Sequence, residues 1–318
     1  MNPSSGDPHG DNTRQRARSL GIDPATVIDL ACSLHPGAPS VASVLAGVLH
    51  EVDHYPDPAP ATAALAAAIG VEPDRLLLTN GASEAIALLA GHLGHGTIVE
   101  PEFALYRRHL GPHGSKSQGG EEGRWRSNPN NPLGTLAAAD AVAQVWDEAF
   151  YPIATGCWTR GDEHAWRIGS LTKLWACPGL RLGYVIAPDA QERAAIAARQ
   201  PRWSVNGLAL AIIEPMLART DLLFLHRHLV EARAALVELL RSVGLDVHET
   251  SANWVLVTAA GDLATRLAHQ GIFVRDCASF GLAETVRIAV PRRGDVPALH
   301  DALHRLFSRP PLAGARRP

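Results

Sequence analysis

The chain has 318 residues, 46% of them apolar and 19% charged. That is enough apolar surface to bury a full core in one large and one small domain, and it excludes disorder over the whole length. The formal net charge is only -3 and no dense Lys/Arg stripe occurs, so the electrostatic footprint of a nucleic-acid binder is missing.

Four cysteines, Cys32, Cys157, Cys177 and Cys277, are scattered without zinc-site or disulfide-framework spacing, so reduced thiols and no metal are expected. Met1 to Ser19 holds no apolar core for a signal peptide, and no apolar run reaches membrane-spanning length. A cytoplasmic protein without a membrane partner is the expectation.

In chain order, residues 1–18 are rich in Gly, Ser, Asp and Pro and predict a flexible start. Residues 19–215 predict a large domain with an N-terminal arm. Short apolar runs there alternate with Ala/Leu-rich stretches, the pattern of an α/β sheet whose parallel strands are buried on both faces. The expected strands are Arg75–Leu78, Thr97–Glu100, Gln144–Asp147, Trp166–Gly169 and Leu182–Ala187. Between them, Gly111–Arg126 is Gly-rich and charged and reads as a mobile surface loop. A long helix is expected over Leu208–Arg241. Residues 216–308 form a smaller α+β unit with strands at Trp254–Thr258, Ile272–Arg275 and Val286–Val290, followed by a flexible tail, 309–318.

Four segments carry chemistry. Thr79-Asn80-Gly81-Ala82-Ser83-Glu84 closes a strand and opens a helix, where free N–H groups and the positive dipole end suit a phosphate; Ser83 as a simple helix cap is the alternative. Ser127-Asn128-Pro129-Asn130-Asn131-Pro132-Leu133-Gly134 bends at a strand end and can aim an Asn amide into a pocket, or is an ordinary Pro-rich turn. Asp147, after the apolar run Val142–Trp146, lies where open α/β sheets bind ligands and suits a pyridine nitrogen; a helix cap is the alternative. Lys173, in Ser170-Leu171-Thr172-Lys173, is costly in an apolar neighbourhood unless paired or covalently bound, and an imine would remove that cost. Arg181, eight residues on, suits a phosphate clamp.

The ordered set resembles the fold-type-I pyridoxal-phosphate (PLP) family, and within it histidinol-phosphate aminotransferases and the threonine-phosphate decarboxylases of the cobalamin pathway. The carrying motifs are Tyr55-Pro56-Asp57-Pro58, the run from Thr79, Glu100-Pro101-Glu102-Phe103-Ala104-Leu105-Tyr106, the run from Ser127, Asp147-Glu148-Ala149-Phe150, Ser170 to Lys173, Gly179-Leu180-Arg181-Leu182-Gly183-Tyr184, Ala252-Asn253-Trp254 and Val274 to Phe280.

The resemblance implies an aspartate aminotransferase-like fold, with a mostly parallel sheet in the large domain and a small C-terminal α+β domain, and pyridoxal 5'-phosphate as cofactor. Lys173 would hold the cofactor and move the proton at the substrate Cα. Asp147 would pair with the pyridine N–H, Asn131 would bond the phenolic oxygen, and Phe103 would stack on the ring. Gly81, Ala82, Ser83, Ser170, Thr172 and Arg181 would hold the phosphate. Tyr55 would reach that phosphate from a partner subunit, which makes a homodimer part of the expectation. Arg287 would take the substrate carboxylate, with Asn253 beside it and Arg275 a candidate for a substrate phosphate; surface ion pairs are the alternative for both arginines.

The chain departs from the family in three places. Phe150 stands where histidinol-phosphate aminotransferases usually have Tyr, and the cobalamin branch often shows this Phe. Ser33-Leu34-His35-Pro36 replaces an Asn-x-Asn-Pro, so His35 either faces substrate or caps a turn. The stretches between Tyr106 and Asn128 and between Gly134 and Gln144 are shortened, predicting a missing strand or helix. The expected activity is transamination of a small phosphorylated amino acid or amine with a 2-oxo acid co-substrate. Threonine-phosphate decarboxylation is the first alternative and a non-catalytic PLP-binding protein the second.

Overall fold

The computed structural model describes residues 12–116 and 123–307, and these divide into two compact units. The expected flexible tail, residues 1–11 of the expected flexible start and part of the expected loop at 111–126 lie outside the described residues.

The larger unit, Leu34–Val230 with Thr250–Asn253, is built on a five-stranded sheet. Its strands are β1 (Leu76–Asn80), β2 (Trp125–Ser127), β3 (Val145–Asp147), β4 (Trp166–Ser170) and β5 (Leu182–Ile186), in the order β1-β5-β4-β3-β2. The ladders β2/β3 and β3/β4 are parallel, and β5 is antiparallel to both β4 and β1. Four strands therefore share one direction and β5 runs against them, the mostly parallel sheet of an α/β fold. β3, β4 and β5 are buried at every position, which explains why they are largely apolar, with Asp147, Arg167 and Ser170 the polar exceptions. Helix α1 (Gly81–Leu93) follows β1 directly and contributes Ala85, Ile86 and Leu89 to the core on one sheet face, together with Tyr106 and Trp125.

β2 lies inside the region expected to be a loop, and its Trp125 is fully buried. The flanking Arg124 and Arg126 made the segment read as polar, but period-two alternation turns Trp125 inward. The expected Thr97–Glu100 strand is only Gly96–Thr97, paired with Ser115–Lys116 in a separate small sheet.

The shortened stretch after Gly134 lacks an element. Parallel neighbours normally need a helical crossover, yet residues 128–144, joining β2 to β3, contain no helix. Arg160 braces this bare connection: its guanidinium donates to the carbonyls of Ala138, Ala139 and Ala141 at 3.0, 2.6 and 2.8 Å. The same group stacks 4.6 Å over the ring of Trp146.

The expected helix over Leu208–Arg241 is broken into Gly207–Ala211, Ile213–Leu217 and Leu222–Ser242. Pro215 supplies no N–H to the ladder. The Asp221 carboxylate then takes the N–H of Phe224 at 2.9 Å and starts the last segment as its cap.

The smaller unit comprises Glu231–Glu249, the chain from Trp254 onward, and residues up to Ser33. Its strands β6 (Asp246–His248), β7 (Trp254–Thr258), β8 (Arg275–Asp276) and β9 (Val286–Ala289) form an antiparallel sheet in the order β8-β9-β7-β6. The start of the chain differs from the expectation of flexibility through residue 18 and of membership in the large unit. Thr13–Ser19 is a helix whose Ala17 is fully buried against Ala268 and Phe273. Ile28–Asp29 then pairs in parallel with Ile272–Phe273. The helix was hidden because only Thr13 and Ala17 turn inward from a polar heptad. Among the described residues no helix is long and apolar enough to cross a membrane.

Candidate active site

The junction of β1 and α1 forms the first half of the site. Gly81 has φ of +73°, and a Cβ there would lie 2.3 Å from Nη2 of Arg181, so glycine lets the guanidinium rest on the first helical turn. Arg181 is itself left-handed at φ 56°, with Nη1 donating to the Pro178 carbonyl at 3.2 Å. Gly183 of β5 packs against the same turn, where a Cβ would meet the Ala82 nitrogen at 2.6 Å. Gly183 pairs with Ser170 of β4, and Ser170 Oγ lies 2.8 Å from Thr172 Oγ1, both buried. Helix N–H groups, a guanidinium and two hydroxyls thus line one small cradle that added side chains would fill. Ser83 is exposed and makes no capping bond. The Glu84 carboxylate caps instead, accepting from the Asn80 N–H at 2.7 Å.

The second half lies at the ends of β2, β3 and β4. Asp147 closes β3, is buried, and accepts the Tyr106 hydroxyl at Oδ2 at 2.7 Å. Its Oδ1 takes the Ala149 N–H at 3.0 Å, a turn contact; the helix that follows starts at Tyr151 with Phe150 as its cap and no side-chain capping bond, so Asp147 is not a helix cap. Burial pushes Asp147 above the usual carboxylate value, while the two hydrogen bonds and the charge of Lys173 pull it back. Lys173 Nζ lies 5.8 Å from the Phe150 ring centroid, and its carbonyl accepts the His35 N–H at 3.0 Å. Asn131 is buried on the turn after β2, its N–H donating to Ser127 Oγ at 2.8 Å. Phe103 packs edge-on to Tyr106 with centroids 5.7 Å apart.

Two residues that sequence reasoning did not assign sit behind this group. Tyr106 is the donor that Asp147 needs. Glu102, buried between the Phe103 and Asn131 turns, accepts from Ser127 Oγ at 2.5 Å and Ser127 N at 3.1 Å. Burial pushes it up to about 8 against the pull of the Ser127 bonds. The only sequence signal for either was their place in the Glu100–Tyr106 motif.

A pyridine aldehyde bearing a phosphate fits these residues. The cradle at Gly81 and Arg181 suits its dianion, a buried carboxylate whose ionised form is favoured by the Tyr106 and Ala149 hydrogen bonds suits a pyridinium N–H, and an amine stands close enough to that carboxylate to feel its charge.

In the smaller unit, Arg275 and Arg287 are direct partners across the β8/β9 ladder, so their side chains share one face. Each is only 8% exposed. Arg287 donates to the Ala31 carbonyl at 3.3 Å and lies 5.0 Å over the Trp254 ring. Arg275 donates to Ser279 Oγ at 2.8 Å and lies 5.2 Å over the Phe280 ring. Burial, with the like charge of Arg275, lowers Arg287 to about 10. These are not the exposed pairs of the surface alternative.

Asn253, in the larger unit, is fully buried, and neither its amide nitrogen nor its amide oxygen finds a partner, the condition of a group that awaits a ligand. His35 is also fully buried, but Nδ1 accepts the Gly37 N–H at 3.1 Å and Nε2 meets the Leu225 carbonyl at 3.2 Å. Its ring serves the turn, the second of the two roles considered for it. Tyr55 is 80% exposed and stacks on Trp203 with centroids 4.5 Å apart.

Residues 125–306 match the model of aminotransferase class I and II. The chain is 32% identical to a threonine-phosphate decarboxylase of Salmonella typhimurium, over 86% of this chain and 88% of that protein. It is 28% identical to histidinol-phosphate aminotransferase 1 of Thiobacillus denitrificans, over 93% of this chain and 89% of that one. Among solved structures, histidinol-phosphate aminotransferase from Sinorhizobium meliloti, in complex with pyridoxal-5'-phosphate, superposes with a TM-score of 0.81 at 17% identity, covering 96% of this chain and 98% of that one. L-threonine-O-3-phosphate decarboxylase from Porphyromonas gingivalis gives 0.77 at 22%, covering 89% and 100%; at these identities the likeness is one of fold. The chain therefore belongs to the aminotransferase class I and II family, a family that works with pyridoxal phosphate, and its site is built for that cofactor.

Proposed function

We propose that this protein is a PLP enzyme that transfers the amino group of a small phosphorylated amino acid or amine to a 2-oxo acid. The observation that carries the substrate class is the cross-strand pair Arg275–Arg287. Two like charges directly opposite each other in a sheet are destabilising, and burial adds to that cost. A substrate with two anionic ends, or a phosphate dianion, offsets both, and planar guanidinium forks suit either group.

When bound, the cofactor supplies an aldehyde for amines and a ring that accepts electrons. Lys173 would be the residue that holds it, and its amine would take and return the proton at the substrate Cα. Asp147, whose ionised form the Tyr106 hydrogen bond favours against burial, would pair with the ring nitrogen's N–H. Asn131 would donate to the phenolic oxygen, and Phe103 would stack on the ring. The Gly81–Ala82 turn, Ser170, Thr172 and Arg181 would anchor the phosphate, and Arg287 would take the substrate carboxylate. Tyr55, exposed on its own chain, reaches the phosphate of a second copy in a homodimer.

Decarboxylation of threonine phosphate is the second reading. Phe150, where histidinol-phosphate aminotransferases usually carry Tyr, favours it, as does the Salmonella relative. Incubation with threonine phosphate, and with histidinol phosphate plus 2-oxoglutarate, separates the two. Glutamate supports amino transfer and released carbon dioxide supports decarboxylation; the absence of both products would leave both assignments unsupported.

A further inference from the structure

Every protein group that bonds to the Glu102 carboxylate is a donor. Oε2 accepts the Ser127 hydroxyl at 2.5 Å and the Phe103 N–H at 3.3 Å, and Oε1 accepts the Ser127 N–H at 3.1 Å. Ser127 Oγ already accepts the Asn131 N–H at 2.8 Å, so its own proton points at Glu102. A second tie joins the same two turns: Asn130 Nδ2 donates to the Pro101 carbonyl at 3.0 Å. The carboxylate is 6% exposed. A glutamine there must set its donor-only NH2 against either the Ser127 N–H or the Ser127 hydroxyl and Phe103 N–H, so it cannot satisfy all three donors in their present directions.

We infer that Glu102 is a positioning residue for the cofactor, a two-oxygen clamp that fixes Asn131 through Ser127 and joins it to the Phe103 turn. The inference rests on Asn131 donating to the cofactor's phenolic oxygen. It goes beyond that reading in giving a buried carboxylate, outside the pyridine and phosphate contacts, control over how well the donor is aimed. A hydrogen bond works only within a narrow range of distance and angle, so releasing the Asn131 backbone weakens the bond without removing the amide.

The test is the pH titration of the visible absorbance of holoenzyme saturated with pyridoxal phosphate. Asn131→Ala removes the donor that stabilises the deprotonated phenolic oxygen, so the midpoint moves up, by about one unit for a lost bond of ordinary strength. Glu102→Gln is expected to move it in the same direction by a smaller amount, and to add nothing in the Asn131→Ala background. Ser127→Ala, which cuts the link without touching the carboxylate, gives the same upward shift and decides the matter if Glu102→Gln does not fold. A purely structural Glu102 would lower the melting temperature and leave the midpoint in place.

A midpoint unmoved by both Glu102→Gln and Ser127→Ala, or a Glu102→Gln shift that adds fully to that of Asn131→Ala, overturns the clamp. An unmoved midpoint in Asn131→Ala overturns it together with the role of Asn131. A wild-type protein with no visible band at all fails the cofactor reading itself, and the three failures are told apart by which sample shows them.

Discussion

Arg275 stands directly opposite Arg287 across the β8/β9 ladder, with both guanidinium groups on one face of the sheet and both nearly buried. Arg287→Ala is expected to lower kcat/KM by on the order of a hundredfold, the scale of one lost charge-assisted fork. Arg275→Met should weaken substrate use while raising the melting temperature of the ligand-free protein, because it removes the like charge and keeps apolar bulk over Phe280. Steady-state kinetics and thermal melts check both. Melting that falls in Arg275→Met would mean the pair supports the fold.

Tyr106 donates its hydroxyl to Asp147 and opposes the upward push of burial on that carboxyl. Tyr106→Phe keeps the ring in the core but takes away the hydroxyl, so the Asp147 carboxyl climbs further above its usual value and its hold on a pyridinium proton weakens. Cofactor affinity, followed by fluorescence quenching, should drop about tenfold, the effect of one hydrogen bond to a charged group. An unchanged affinity would remove Tyr106 from the site.

His35 gives the protein an acid-sensitive point. Burial, with smaller effects from His228 and His226, lowers it from 6.5 to about 4, against the pull of the Leu225 carbonyl. The unfolded chain takes up its proton near 6.5, so the unfolded state binds more protons as the solution is acidified. The stability His35 contributes is thus fully present above pH 6.5 and is lost as pH falls toward 4, an amount on the order of 3 kcal/mol. His35→Asn should flatten the acid limb of a stability-against-pH curve. An unchanged limb in that variant would assign the acid sensitivity elsewhere.

Arg160 stands in for the helix that the β2–β3 connection lacks. Arg160→Ala leaves three carbonyls and one face of Trp146 without their partner, and a loss of about 2 kcal/mol in denaturant unfolding is expected. Arg160→Lys should rescue little of it, since a compact ammonium on a flexible stem does not span three carbonyls and stack on an indole at once. Full rescue by lysine would argue that charge alone matters there.

Much of this architecture was written in local sequence, and the exceptions have physical causes. β1, β3, β4 and β5 announce themselves because strands buried on both faces carry short, mostly apolar runs. β2 does not, because it is three residues long and two of its residues and neighbours are arginines that leave only Trp125 to pack. Lys173, Asp147 and Gly81 were visible since each stands at a strand end, where local pattern and chemistry coincide. Tyr106 and Glu102 were not, since their meaning lies in partners 41 and 25 residues away. His35 was legible only as a choice, resolved by Leu225, which is 190 residues distant in the chain.

The direct test of the central claim is borohydride reduction of the protein loaded with pyridoxal phosphate, followed by peptide mapping. A single pyridoxyl label on the peptide carrying Lys173, lost in Lys173→Ala, is the expected result. A label on any other lysine, or none, would contradict the account.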